Sequence, residues 1–175
     1  MHDATRATPW TRDAQGLAKP ALYRDLALEL DALLTGEDDP VANAANAAAA
    51  IHHSLGGLNW AGFYFLRGGE LVLGPFQGRP ACVRIPLGRG VCGTAAIRRE
   101  SVLVPDVEAF PGHIACDTAS RSELVVPLLA DDRLLGVLDL DSPHLARFDA
   151  ADQAGCEALA AIIARHLAPQ MPPRG

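Results

Sequence analysis

Two pairs of β-prone segments, each joined by a tight turn, constrain the possible fold of this chain most strongly. In each pair, apolar and aromatic residues are interrupted by a two-residue turn signal and then resume the strand pattern. Strands joined mainly by such hairpins predict an antiparallel sheet. The pairs are 59–66 with 70–76, around Gly68-Gly69, and 124–129 with 134–140, around Asp131-Asp132.

Helical patterns lie mainly at the two ends of the chain, with one inserted in the middle. Leucines recur at helical spacing from Leu22 to Leu34 and stop before Gly36. We therefore predict an α+β domain with an antiparallel central sheet of about six strands flanked by helices. The further elements predicted are helices at 41–55, 90–99 and 150–167, short strands at 81–87 and 101–104, and a loop at 107–120.

The length of 175 residues suits one well-buried domain, because half of the residues (49%) are hydrophobic. Residues 1–20 are polar and unpatterned and are predicted to be a flexible tail, and residues 168–175, which contain three prolines, are predicted to be a C-terminal tail. The folded domain is expected at about 21–167.

Composition also excludes several classes of protein. The sequence contains no apolar run long enough to span a membrane, and its charged first twenty residues do not form a signal peptide, so we expect a cytoplasmic protein. The net charge of -6, without a cluster of Lys and Arg, argues against a nucleic-acid partner.

Three of the four cysteines lie in the central part of the chain, and in a reducing compartment they are candidates for reactive thiols. Cys92 falls in the first turn of a predicted helix, where the helix dipole would lower the pKa of its thiol and favour a nucleophile. Cys116 lies in a predicted polar loop, three residues after His113. From this position it could attack a substrate, or it could be a loop cysteine without a function. Cys82 begins a short predicted strand, and Cys156 is expected in the core.

Two binding motifs compete with thiol chemistry for this region. Residues 88–93 match GxGxxG, but they follow a hairpin instead of opening a βαβ unit, so we interpret them as a tight turn from strand to helix. His113 and Cys116 with Cys82 and Cys92 offer four zinc ligands, yet the cysteines are 10 and 24 residues apart. Structural zinc sites use closely spaced pairs, so we predict no metal and no nucleotide cofactor.

Three acidic residues are predicted to converge on one face of the sheet. Asp139 and Asp141 are two apart in a strand, and Glu123 opens the neighbouring strand. Crowding would raise the pKa of at least one of them, so that a protonated carboxyl could donate a hydrogen bond. Trp60 and Tyr64, four apart in a strand, also share a face. From the pattern alone, the acids could instead be solvated charges at a strand end, and the two aromatic residues could instead belong to the core.

Taken together, several short blocks carry a family resemblance that extends from about Tyr23 to Leu159. In chain order they are Asn-Trp-Ala-Gly-Phe-Tyr at 59–64, Gly-Pro-Phe-Gln-Gly at 74–78, Ala-Cys at 81–82, Gly-Arg-Gly-Val-Cys-Gly at 88–93, Asp-Val at 106–107, Pro-Gly-His-Ile-Ala-Cys-Asp at 111–117, Ser-Glu-Leu-Val-Val-Pro at 122–127 and Leu-Asp-Leu-Asp-Ser-Pro at 138–143. This set resembles the free methionine-(R)-sulfoxide reductases, which are enzymes built on a GAF domain.

The resemblance implies a role for each cysteine of the central region. Cys116 matches the nucleophile that attacks the sulfoxide sulfur, releases methionine and is left as a sulfenic acid. Cys82 matches the cysteine that condenses with it to a disulfide, which thioredoxin reduces, and Cys92 matches an auxiliary cysteine. Since a disulfide requires the two cysteines to approach closely, we expect a mobile loop at 107–120 that closes over substrate.

The resemblance also implies the substrate site and the partners. Glu123, Asp139 and Asp141 match pocket carboxylates, and Trp60 and Tyr64 match aromatic walls of the pocket. The expected partners are free methionine-(R)-sulfoxide and thioredoxin, and a homodimer is expected for the family. The alternative function is a non-catalytic GAF module that senses a ligand and in which Cys82 and Cys116 form a redox switch.

Overall fold

The computed structural model describes residues 18–114 and 118–171, which form a six-stranded sheet and four helices. The helices are α1 (Lys19–Leu34), α2 (Pro40–Ser54), α3 (Gly90–Arg98) and α4 (Ala150–Leu167), and the strands are β1 (Trp60–Arg67), β2 (Glu70–Gly78), β3 (Arg84–Pro86), β4 (Val102–Val104), β5 (Ser122–Ala130) and β6 (Arg133–Ser142). Short 3₁₀ turns occur at Val107–Ala109 and Ala168–Gln170.

The sheet is antiparallel throughout, in the order β3-β2-β1-β6-β5-β4, which confirms the predicted α+β architecture. Both predicted hairpins are present as β1–β2 and β5–β6. At the turn of the second hairpin, Asp131 and Asp132 both have positive φ, of 47° and 59°. Such a pair is typical of a primed turn, whose twist matches that of the strands on either side.

The two faces of the sheet carry separate hydrophobic cores. Helices α1, α2 and α4 pack on one face, where Leu138 and Leu140 of β6 are fully buried. Helix α3 and the segments around it cover part of the other face, to which the intervening Asp139 belongs by strand alternation. The predicted alternation of apolar and acidic residues in β6 is therefore confirmed.

A buried charged cluster fixes α1 against the start of α4. The Lys19 ammonium lies 2.6 Å from a carboxylate oxygen of Asp152, which also accepts hydrogen bonds from Tyr23 and Arg147. Asp149 and Asp152 together form a capping box at the start of α4. The helix thus begins at Lys19, slightly before the expected start of the domain, because its ammonium is paired in the interior.

The predicted strand at 81–87 is shorter in the structure, where β3 comprises Arg84–Pro86. The Cys82 carbonyl accepts a hydrogen bond from the hydroxyl of Tyr64 at 3.0 Å. A backbone group that pairs with a side chain is not part of a strand ladder, so Cys82 precedes β3 instead of beginning it.

Among the described residues, no helix has the length and apolar character needed to cross a lipid bilayer.

Gly155 provides a test of how α1 packs on α4. A Cβ at this position would lie 2.1 Å from the nearest ring atom of Tyr23. Replacing a helical Gly by Ala ordinarily stabilises a helix by about 1 kcal/mol. We predict the opposite sign for Gly155→Ala, a loss of about 1–3 kcal/mol in the free energy of unfolding, because Tyr23 must move.

Urea denaturation measures this loss, and Gly56→Ala is the matched control, since a Cβ at Gly56 meets no atom within 4 Å. A Gly155→Ala protein at least as stable as the parent would contradict the packing described for Tyr23.

Candidate active site

A pocket opens on the face of the sheet that α3 partly covers. It encloses about 520 Å³ of empty space, open solvent at its mouth included. Its walls combine aromatic, acidic, basic and thiol side chains. The lining residues are Trp60, Tyr64, Arg79, Pro80, Ala81, Ile85, Arg89, Gly90, Val91, Cys92, His113, Ile114, Ser120, Glu123, Asp139 and Asp141.

Strand register brings the predicted polar and aromatic residues together. Trp60 of β1 pairs with Asp141 of β6, which in turn pairs with Glu123 of β5, so these three form one row across the sheet. Residues paired in this way point to the same face. Asp139 stands in the next row, opposite Gly62 of β1. The structure therefore brings all five predicted substrate-binding residues, Tyr64 included, to one pocket.

An aromatic stack forms one wall. The Trp60 ring lies 5.9 Å from Tyr64 and 5.2 Å from Phe76 between ring centroids, with small interplanar angles. Gly62 makes this arrangement possible, because a Cβ there would lie 2.3 Å from the Cβ of Phe76 and 2.8 Å from the Trp60 ring. The indole Nε1 of Trp60 donates to the Arg79 carbonyl at 3.1 Å, which fixes the ring.

The carboxyls of Glu123 and Asp139 are both buried, each with 6% of its residue surface exposed. Burial raises the pKa of Asp139 to about 7, although hydrogen bonds from Cys92 and Glu123 act in the opposite direction. Burial also raises the pKa of Glu123 well above its ordinary value, and the nearby charges of Asp139 and Asp141 raise it further. Near neutral pH the buried pair therefore retains a proton, as the sequence predicted.

Cys92 lies at the third position of α3, as predicted, but the expected lowering of its pKa is wrong. Burial raises the pKa of the Cys92 thiol well above its ordinary value, and the charges of Asp139 and Glu123 add to this effect. Its Sγ contacts Oε1 of Glu123 at 4.0 Å. The helix N-terminus cannot offset desolvation and two adjacent acids, so Cys92 is a protonated thiol near neutral pH.

His113 approaches the acidic pair from the loop above it. Its Nε2 lies 3.7 Å from Oε2 of Glu123, and burial lowers the pKa of the imidazole. Desolvation therefore favours the neutral imidazole of His113 and the neutral carboxyl of Glu123. Burial, followed by the charge of Asp139, raises the pKa of Tyr64, so its hydroxyl stays protonated and donates to the carbonyl of Cys82.

The four cysteines fall into different environments. Cys82 precedes β3, next to the pocket residue Ala81, and takes part in a disulfide. Cys92 and Cys156 are free and buried. The Cys156 thiol lies 3.7 Å from the Tyr23 hydroxyl and the residue is 0% exposed, which confirms its predicted place in the core. Cys116 lies outside the described residues.

The glycine-rich segment at 88–93 forms a turn into α3, as expected. Gly90 has a positive φ of 60°, and a Cβ at Gly93 would lie 2.4 Å from the Pro86 carbonyl. This turn brings Arg89 to the pocket, and the turn at 78–80 brings Arg79. Sequence reasoning missed both arginines as pocket residues, although each lies in a turn that flanks a candidate cysteine.

Comparison with known proteins agrees with this geometry. The GAF domain model matches residues 39–167. A free methionine-R-sulfoxide reductase from Escherichia coli is 49% identical over 86% of this chain and 91% of its own length. A yeast protein of the same name, from Saccharomyces cerevisiae, is 43% identical over 86% of this chain and 88% of its own length.

The X-ray structure of the free methionine-R-sulfoxide reductase from Neisseria meningitidis, in complex with its substrate, superposes with a TM-score of 0.82 at 45% identity. The match covers 95% of both chains. The chain belongs to the free methionine-(R)-sulfoxide reductase family of GAF-domain proteins. The family and the GAF fold that the sequence motifs predicted are thereby confirmed.

The buried carboxyl pair predicts a stability that depends on pH. The folded state holds a proton that the unfolded chain releases at lower pH, so the free energy of unfolding falls as the pH rises toward the folded-state pKa of about 7. Asp139→Asn removes one of the two acids. We expect it to diminish the fall between about pH 5 and about pH 8 by up to about 3 kcal/mol.

Urea denaturation of the parent and the variant at both pH values measures this difference. Asp25→Asn serves as the control, because Asp25 is an exposed residue on α1. Equal pH dependence of the Asp139→Asn and parent proteins would show that Asp139 does not have the raised pKa described here.

Proposed function

We propose that this protein reduces free methionine-(R)-sulfoxide to methionine in the pocket between α3 and the sheet. The observation that carries the proposal is a buried carboxyl pair that holds a proton near neutral pH beside a stacked aromatic wall. The names of the E. coli, yeast and Neisseria relatives, at 43–49% identity, support the same substrate.

The acidic pair supplies the proton that the reaction requires. A sulfoxide oxygen is a poor leaving group, and protonation makes the sulfur more electrophilic. Glu123 or Asp139, in its neutral form, donates a hydrogen bond to that oxygen from a site with little competing water. The negative charge that develops on the sulfoxide oxygen is therefore stabilised by carboxyls whose positions are fixed by the sheet before substrate binds.

The remaining groups of the pocket fit the two ends of the substrate. The faces of Trp60 and Tyr64 accept the S-methyl group and the thioether, and an aromatic face also attracts a cation. Asp141 is half-buried in the same row as Glu123 and binds the substrate ammonium. Carboxylates that recognise a free α-amino group account for a preference for the free amino acid over a residue within a peptide.

Cys116 is the proposed nucleophile. Its thiolate attacks the sulfoxide sulfur while an acid of the pocket protonates the oxygen. The oxygen then passes to the cysteine sulfur as the S–O bond of the sulfoxide breaks, so the cysteine is oxidised to a sulfenic acid and methionine leaves with the electron pair of that bond. Cys82 then condenses with the sulfenic acid, which forms a disulfide and releases water. The disulfide state of Cys82 and the free state of Cys92 and Cys156 support this assignment.

Thioredoxin is the proposed reductant, because a dithiol returns the disulfide to two thiols while it is itself oxidised to a disulfide. A cytoplasmic location, a homodimer and a loop at 107–120 that closes over substrate stay predictions.

Loss of the nucleophile tests the proposal most simply. Cys116→Ser should lower turnover of free methionine-(R)-sulfoxide by about 10³-fold or more with dithiothreitol as reductant, since a hydroxyl does not replace a thiolate here. Cys156→Ser is the matched control and should keep its activity, because Cys156 is a buried thiol outside the pocket. Equal turnover by Cys116→Ser and the parent would exclude the assigned nucleophile.

A second variant separates chemistry from recycling. Cys82→Ser should still release one equivalent of methionine per chain in a single turnover and accumulate a sulfenic acid that dimedone traps. Its thioredoxin-dependent turnover should be lost. If this variant instead cycles normally with thioredoxin, Cys82 does not resolve the sulfenic acid.

The alternative of a sensing module makes a different set of predictions. A sensor would bind methionine sulfoxide and gain thermal stability, yet no substrate would disappear in the presence of either reductant. That result would reject the proposed catalysis.

A further inference from the structure

We infer that the floor of the pocket, formed by Cys92, Glu123 and Asp139 with His113 beside them, is a binding site for a thiophilic divalent cation such as Zn²⁺. The site shares Cys92 and His113 with the zinc motif considered from the sequence, but the carboxyls of Glu123 and Asp139 take the places of Cys82 and Cys116. Its occupation by a cation would exclude the sulfoxide substrate. Cation binding itself follows from the arrangement of ligand atoms and does not depend on the proposed catalysis.

The spacing of the donor atoms fits a small cation. One atom each from Cys92, Glu123 and Asp139 lie within 4.8 Å of one another. His113 Nε2 is 3.7 Å from the second oxygen of Glu123. Zinc bonds of about 2.0–2.3 Å in a tetrahedron place neighbouring ligands roughly 3.4–3.7 Å apart. Side-chain rotations that draw the three buried atoms together by up to about 1 Å complete the site.

One buried oxygen of this group lacks a hydrogen-bond partner. Oδ1 of Asp139 is inaccessible to solvent and accepts no hydrogen bond, although the residue is 6% exposed and lines the pocket. An unpartnered buried polar atom is costly, because it has lost its water without gaining a replacement. A cation at the pocket floor would satisfy this oxygen, which is an observation independent of the clustering itself.

The chemistry of the donors selects the type of cation. A thiolate and an imidazole favour Zn²⁺ and related transition metals, whereas Mg²⁺ and Ca²⁺ prefer sets made of oxygen alone. Coordination replaces the thiol proton of Cys92 and the proton held by the acidic pair with the metal, and both protons are released to solvent. The cation offsets two of the three negative charges, and the low dielectric that disfavours those charges alone strengthens their attraction to the cation.

Binding would compete directly with the ligand of the proposed reaction. The cation engages Glu123 and Asp139, which the proposed function assigns to the sulfoxide oxygen. Cys92, buried and protonated in the free protein, thereby acquires a role as a soft ligand that reaction chemistry does not require of it. The expected consequence is reversible inhibition by zinc that a chelator relieves.

Direct binding measurements test this inference without turnover. The full-length chain with Cys82→Ser and Cys116→Ser keeps Cys92 and Cys156 as its remaining thiols. In this background, titration with Co²⁺ should produce a thiolate-to-cobalt charge-transfer band and the visible bands of a tetrahedral site. Calorimetry with Zn²⁺ should give one site per chain, and Mg²⁺ should not compete.

Two further substitutions in that background identify the ligands. Cys92→Ser should abolish the charge-transfer band and weaken Zn²⁺ binding by about 100-fold or more, since even partners outside the coordination shell contribute about 10–100-fold. Cys156→Ser, the matched loss of a buried thiol, should change neither result. Glu123→Gln should weaken binding and keep the band, which guards against misfolding of the Cys92 variant.

Competition locates the cation. Added methionine should lower the apparent Zn²⁺ affinity by more than alanine does, because both amino acids chelate free Zn²⁺ but alanine lacks the thioether that the aromatic wall would bind. Absence of a thiolate band, equal affinity in the Cys92→Ser protein, or equal effects of methionine and alanine when methionine is shown to bind the metal-free protein would each overturn the inference. These outcomes leave the proposed catalysis untouched, because that is judged by turnover of the parent and Cys116→Ser proteins without metal.

Discussion

The burial of two carboxyls on one face of a sheet is the constraint on which the rest of this structure depends. Asp139 follows Leu138 in β6, so a strand that packs leucine beneath the helices must turn its acids to the other face. There α3 and the aromatic stack from β1 and β2 exclude water. Carboxyls in such a place keep a proton or bind a cation, because their ionised forms are poorly solvated. The pocket therefore selects polar, cationic ligands.

The same desolvation determines the protonation state of Cys92. Cys92 has the position that a helix dipole favours, yet it is enclosed with Glu123 and Asp139 and stays a thiol. A dipole near a helix end contributes at most about 2 kcal/mol, whereas burying a thiolate beside two acids costs more. A nucleophile for this pocket must approach from a less enclosed segment. The polar loop that carries Cys116 is such a segment in the sequence.

Much of the fold could be predicted because local signals agree with it. Asp131-Asp132 and Gly68-Gly69 specify hairpins, and alternation in β6 places Asp139 and Asp141 on one face. Three features required tertiary information. The length of β3 depends on a hydrogen bond from Tyr64 to the carbonyl of Cys82, and the start of α1 depends on the pairing of Lys19 with Asp152. The pKa of Cys92 depends on neighbours from β5 and β6, which no helical pattern reveals.

The central claim is that burial raises the pKa of the pocket acids, Asp139 among them, so that the group stays protonated up to near neutral pH. Carbon-13 NMR of the aspartate side-chain carboxyls, with Asp139→Asn to assign the resonance, follows the ionisation of Asp139 directly. The account predicts a titration midpoint near the value of about 7 that burial imposes on this group. A midpoint close to the ordinary value of about 3.9 would contradict it, because the acid would then be solvated and ionised like a surface residue.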